Sequence, residues 1–138
     1  MGYPKSPSRA EVAAAPLARL ATVNPSGAVD LVPITFAFSD DDTIVTAVDH
    51  KPKRTTRLQR LENIRLHPEV TVLVDHYEEE WTNLWWVRLR GAAVVDERPA
   101  DTLLAPLIAK YPQYTESRPS GPGIVITVAD VTSWSARG

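Results

Sequence analysis

The chain has 138 residues, 43% of them hydrophobic and 23% charged, which suits one soluble domain with a single core and leaves too little for two. A formal charge of -2 excludes a surface coated in positive potential, so nucleic acid is not the expected partner and any anion site must be local. With no cysteine, disulfides, thiolate chemistry and sulfur-ligated metals are excluded; no stretch reaches the roughly 18 apolar residues of a membrane span, so the expected location is the cytoplasm.

Residues 1–138 read as one domain whose first seven residues form a tail. Ser8 is placed to cap a short helix that Pro16 stops. Residues 17–23 then read as a strand, Asn24-Pro25-Ser26-Gly27 as a turn, and 28–38 as a second, long strand. Alternation sends Val32, Ile34, Phe36 and Phe38 one way and Val29, Leu31, Pro33 and Ala37 the other, so this strand is apolar on both faces. A chain this small covers both faces most simply by pairing with a second copy, and a homodimer is expected.

Residues 43–48 form a third strand, and residues 53–66 an amphipathic helix, with Leu58, Leu61 and Ile64 on its apolar stripe and His67-Pro68 ending it. Strands follow at 70–74, 84–95 and 124–128, with a helix at 100–109 and a proline-rich loop at 111–123 between the last two. Six strands with few helices predict a mainly β fold, a small six-stranded antiparallel barrel with short flanking helices. A doubly wound sheet would need a helix after nearly every strand. No glycine-rich dinucleotide or phosphate loop is present.

The most informative stretch is Asp49-His50-Lys51-Pro52-Lys53-Arg54-Thr55-Thr56-Arg57, where a strand gives way to a helix. A helix N-terminus already carries unpaired N–H groups and partial positive charge, so cations there are misplaced unless an anion joins them. A phosphate would accept from the free N–H groups, the threonine hydroxyls and the basic side chains at once. The alternative is a solvated basic face paired with Glu78, Glu79 and Glu80.

In Trp85-Trp86-Val87-Arg88-Leu89-Arg90, alternation sends Trp85, Val87 and Leu89 to the core and Trp86, Arg88 and Arg90 to the other face. That second set suits either a planar anionic ligand or a subunit contact with paired carboxylates. Pro33, within Val32-Pro33-Ile34-Thr35, removes a ladder donor and marks an edge, a bulge or a place where another group, such as a flat ring, approaches the backbone; the alternative is a proline at an ordinary barrel bend. His50, His67 and His76 lack metal-site spacing, Ser26 lacks a base, and neither a metal nor a catalytic side chain is expected. An anion-anchored site without such groups suits a cofactor that carries the chemistry.

The order of 17–23, Asn24-Pro25-Ser26-Gly27, Val32-Pro33-Ile34-Thr35-Phe36, Lys51-Pro52-Lys53-Arg54-Thr55, Leu61-Glu62-Asn63-Ile64 and His67-Pro68-Glu69-Val70 resembles the pyridoxamine 5'-phosphate oxidase-like split β-barrel superfamily. Within it, the chain looks most similar to the deazaflavin (coenzyme F-420) dependent oxidoreductases, over about residues 8–134. The resemblance implies a homodimer with two cofactor sites at the subunit interface. It places Val32, Pro33, Ile34 and Thr35 near the ring and Lys51, Lys53, Arg54, Thr55 and Arg57 near the phosphate, with Trp86 and Arg88 approaching from the partner subunit. The implied reaction is hydride transfer to an electrophilic double bond or conjugated carbonyl of a small-molecule substrate. FMN is the alternative cofactor, and cofactor storage the alternative role. Arg60 and Arg65 are further cations for an oligoglutamate tail.

Overall fold

The computed structural model describes residues 3, 5–40, 42–48 and 55–138, with the backbone alone for residues 55–58. Helix α1 (Arg9–Ala14) begins with a reciprocal cap, in which the Ser8 side chain accepts from the Glu11 N–H and the Glu11 carboxylate accepts from the Ser8 N–H. Strands β1 (Ala18–Val23) and β2 (Val29–Ile34) form a hairpin. In its turn, Asn24 Oδ1 accepts from the N–H groups of Ser26 and Ala28, and Gly27 takes the left-handed φ of +89° that a side chain would resist. Within the expected tail, Tyr3 packs against Phe38 and Ser6 bonds Ser135.

The expected second strand is two strands. It breaks at Thr35 and Phe36 into β2 and β3 (Ala37–Asp40), so the sheet has seven strands among the described residues where six were expected. After β3 come β4 (Thr43–Ala47), helix α2 (Thr55–Leu66), β5 (Glu69–His76), β6 (Trp85–Asp96), helices α3 (Asp101–Lys110) and α4 (Gln113–Glu116), and β7 (Gly123–Ser135). Helix α4 lies within what reads from the sequence as loop.

The strand order is β2-β1-β5-β6-β7-β4-β3, antiparallel throughout. The two outermost strands, β2 and β3, are thus consecutive in the chain and joined by only two residues. Three Cα–Cα steps span at most about 10 Å, so the sheet must curl until its opposite edges nearly meet at that corner. No ladder joins β2 to β3, so the barrel stays open along this seam.

Alternation then sorts the side chains. Ala18, Leu20, Ile34, Phe36, Val72, Val74, Val87 and Leu89 point inward with Ile124 and Ile126, and Val12 of α1 and Leu61 and Ile64 of α2 close the same core. A second cluster lies outside the curl, where Leu104 and Leu107 of α3 cover Ala37, Val45 and Ala47. Ala37 of β3 and Val45 and Ala47 of β4 are therefore covered on the outer face from within this chain, whereas the outer face of β2 leaves Val29 and Leu31 64% and 65% exposed. Among the described residues, no helix is long and apolar enough to cross a membrane.

Strands β6 and β7 change register between Arg90 and Gly91, where Asp130 and Val128 are the successive partners and Ala129 is extra. A Cβ on Gly91 would lie 2.0 Å from the Thr127 carbonyl oxygen, a clash with backbone that no rotamer change relieves. Gly91→Ala should therefore destabilise the fold by about 3 kcal/mol, read as a lower urea midpoint.

Candidate functional site

The outer face of β2, β1, β5, β6 and β7 carries the residues picked from the sequence. Register aligns Pro33, Arg19, Leu73, Arg88 and Thr132 in one row across five strands. Trp86 stands on the same face, opposite Asp75 on one side and Trp134 on the other. Pro33 and Arg88 are three strand spacings apart, about 14 Å along the sheet. Pro33 lies in an edge strand, where its missing N–H costs no ladder bond. Val32 and Ile34 point the other way: Ile34 is buried in the core and Val32 packs against it, so these two can offer a ligand on the outer face only backbone.

Between β5, β6 and β7 this face dips into a groove of about 320 Å³, lined by Leu73, Tyr77, Leu84, Trp86, Arg88 and Trp134 among others. The Arg88 guanidinium lies 5.6 Å from the Trp86 ring, and its Nε is buried without an acceptor among the described residues. A buried donor with no partner is costly in a finished structure, and the described residues leave this one to water, another residue or a ligand. Nearby, Arg19 pairs with Asp75 at 2.7 Å. Exposed indole, apolar strand and an unsatisfied guanidinium together fit a flat, negatively charged aromatic group.

Lys51, Lys53 and Arg54 lie outside the described residues. Thr55 and Arg57 belong to the first turns of α2, where the backbone alone is described. The seating of that helix is clear farther along. Asn63, fully buried, donates from Nδ2 to Thr22 Oγ1 at 3.0 Å and to Asp30 Oδ2 at 2.8 Å, and its Oδ1 accepts from Gln59. The network locks α2 to the β1–β2 hairpin. Arg65 is paired with Glu62 and Glu97, so it is already engaged within the chain.

Two clusters escape sequence reasoning. His76, at the end of β5, bonds Glu78, which also accepts from Asn83, whose oxygen in turn accepts from Arg137. The bonds from Asn83 and His76 hold the Glu78 carboxyl below its ordinary range. These groups line a cleft of about 440 Å³ beside α1, with Glu11, Asp75 and Trp85. The spacing of His76 and Glu78 was the available signal, and it is too common to single out.

The second cluster holds the seam. Thr46 Oγ1 donates to the Thr35 carbonyl at 2.6 Å, Tyr114 Oη and Thr35 Oγ1 lie 2.8 Å apart, the Phe36 N–H donates to Tyr111 Oη at 3.1 Å, and Lys110 Nζ donates to the Phe36 carbonyl at 2.9 Å. Lys110 also stands 3.7 Å from the Phe36 ring centroid, and burial pushes its ammonium pKa down to about 8. No sequence pattern relates residues 110–114 to residues 35–36; the contact is made by tertiary packing.

The chain matches the family described as pyridoxamine 5'-phosphate oxidase over residues 7–137. No curated protein matches it in sequence. Among solved structures, the conserved hypothetical protein Rv2991 from Mycobacterium tuberculosis superposes with a TM-score of 0.71 at 23% identity, covering 94% of this chain and 86% of that one. A structure described as an F420 reductase superposes with a TM-score of 0.62 at 18% identity, over 88% of this chain and 93% of the other. The heme storage protein HutZ from Vibrio cholerae gives 0.65 at 13% identity, over 87% and 85%. At these identities the likeness is one of fold.

Replacing Asn63 by leucine keeps the volume but leaves the Thr22 hydroxyl, the Asp30 carboxylate and the Gln59 amide short of a partner. Asn63→Leu should cost about 3 kcal/mol in chemical denaturation, more than any exposed ion pair of this chain.

Proposed function

Because the chain belongs to the pyridoxamine 5'-phosphate oxidase family, we propose that it is a coenzyme F-420 (deazaflavin) dependent oxidoreductase, working as a homodimer in the cytoplasm. The observation that carries this reading is the open outer face, where Pro33 and Arg88 share one register row, Trp86 stands two positions from Arg88, and Val29 and Leu31 are exposed on the same strand as Pro33. Bound there, the reduced deazaflavin supplies a hydride to an electrophilic C=C or conjugated carbonyl. The chain's own part is to bind, orient and shield. Pro33 and Thr35 would border the ring, Trp86 and Arg88 of the partner subunit would approach it, and Lys51, Lys53, Arg54, Thr55 and Arg57 would take the phosphate at the start of α2.

The dimer follows from the same face. Val29 and Leu31 are β-sheet residues on an outer surface that no element among the described residues covers, and a second copy would bury them. Leu31→Asp places a charge in that contact, and the expected result is a monomer in analytical ultracentrifugation where the parent chain sediments as a dimer.

A second reading is favoured by the heme storage neighbour: a protein that binds a cofactor without turning it over. FMN is the alternative cofactor for either role. Fluorescence titration with coenzyme F-420 and with FMN, followed by turnover of reduced F-420 with a panel of enones, separates these. Substrate-dependent oxidation supports the reductase, saturable binding with no turnover supports storage, and a preference for FMN rejects the deazaflavin. The phosphate site has its own check. Lys53→Ala combined with Arg54→Ala should weaken F-420 binding by about tenfold or more, the loss expected for hydrogen bonds to a charged group. Arg98→Ala combined with Arg118→Ala should leave it unchanged, and equal losses in the two pairs would reject the assignment.

A further inference from the structure

The outer surface of the sheet has two territories, and Thr35 stands on their border. On one side, α3 covers β3 and β4 through Leu104 and Leu107; on the other, β2 is bare. Thr35 shares the outward parity of Pro33 before it and Ala37 after it. Its hydroxyl meets Tyr114 of α4 at 2.8 Å. The α3–α4 hairpin therefore ends at the rim of the open face, with the Tyr114 phenol at the boundary.

The hydrogen-bond bookkeeping around this rim closes on itself. Tyr111 has a single hydroxyl proton and two carbonyl acceptors at 3.1 Å, those of Pro16 and Phe36. The Tyr111 hydroxyl proton has either carbonyl to meet, the Phe36 carbonyl also accepting from Lys110, while the Tyr111 oxygen accepts from the Phe36 N–H. Each backbone polar group that these interactions reach at Thr35 and Phe36 is served by a side chain. A threonine hydroxyl has three hydrogen-bonding capacities, and the bond to Tyr114 uses one. It also selects among the χ1 settings that threonine otherwise populates.

We propose that Tyr114 is a positioning residue for the ligand face: it bounds the surface beside Pro33 and orients the Thr35 hydroxyl, whose remaining capacity meets a polar atom on the ring of the bound coenzyme. The proposal rests on the functional reading above, and it adds a hairpin that the cofactor argument did not include.

The test compares the parent chain with Tyr114→Phe, Thr35→Val, Thr35→Ser and the Tyr114→Phe/Thr35→Val double variant, titrated with coenzyme F-420 and with FMN. The absorption band of the bound coenzyme is recorded in each. Tyr114→Phe and Thr35→Val should each weaken binding by about tenfold and shift the band, the double variant should bind no worse than Thr35→Val alone, and Thr35→Ser should restore parental binding and spectrum. Binding and a spectrum unchanged in Tyr114→Phe would overturn the proposal, as would losses that multiply in the double variant. If Tyr114→Phe fails to fold, the contrast between Thr35→Val and Thr35→Ser decides: rescue by serine supports the proposal and equal binding by the two overturns it. A parental chain that binds neither coenzyme would instead reject the functional reading, and the positioning role with it.

Discussion

Two residues, Thr35 and Phe36, join the opposite edges of a seven-stranded sheet, and that short tether governs the rest of the molecule. A tether of about 10 Å cannot connect the ends of a flat sheet, so the sheet curls and encloses a core. The tether also runs where no neighbouring strand can receive its backbone groups. They are met instead by Thr46 from within the sheet and by Lys110 and Tyr111 from beyond it, while Tyr114 takes the Thr35 hydroxyl. Side chains do at the seam what a ladder does elsewhere, because a buried, unpaired peptide group would be costly.

Curling gives the sheet an inside and an outside, and the two are used differently. Inside, Leu20, Phe36, Val72, Leu89 and Ile126 pack into one core, with α1 and α2 closing it. Outside, α3 shields β3 and β4, while β2, β1, β5 and β6 present Leu31, Pro33, Arg19, Leu73 and Arg88. The unshielded part carries exposed apolar strand on β2 and, three strands away on β6, a guanidinium whose buried donor has no acceptor among the described residues. Such a surface is poorly matched to water on both counts, which is the physical basis for reading it as a place for a flat anionic group and a second subunit.

The other half of the proposed site depends on how α2 is held. Its opening turns carry the threonines and cations expected to meet a phosphate, and its body is pinned by Asn63 to Thr22 and Asp30. A fully buried amide with partners on β1 and β2 admits few alternative seatings, because sliding the helix would strand donors and acceptors together. The polar network thereby ties α2, at whose start the phosphate is proposed to bind, to the same hairpin that carries Pro33.

Much of this was legible in the residue order. The alternation of Val32, Ile34, Phe36 and Phe38 against Leu31 and Pro33, the split of Trp86 and Arg88 from Val87 and Leu89, and the cap at Ser8 are local or period-two signals, and each has the orientation expected of it. Pro33 stands on an edge strand, one of the several places its missing donor allows. What local chemistry could not convey was the break at Thr35 and Phe36. Both residues suit an extended strand, and only the global path of the chain requires them to leave one edge and enter the other. The same holds for the reach of Tyr114 to Thr35 across 79 positions, and for the choice of α3 rather than a second subunit to cover Ala37 and Val45. Periodicity determined which way each side chain faces; tertiary packing decided what it faces, because that depends on chain segments far apart in sequence brought together by the curl of the sheet.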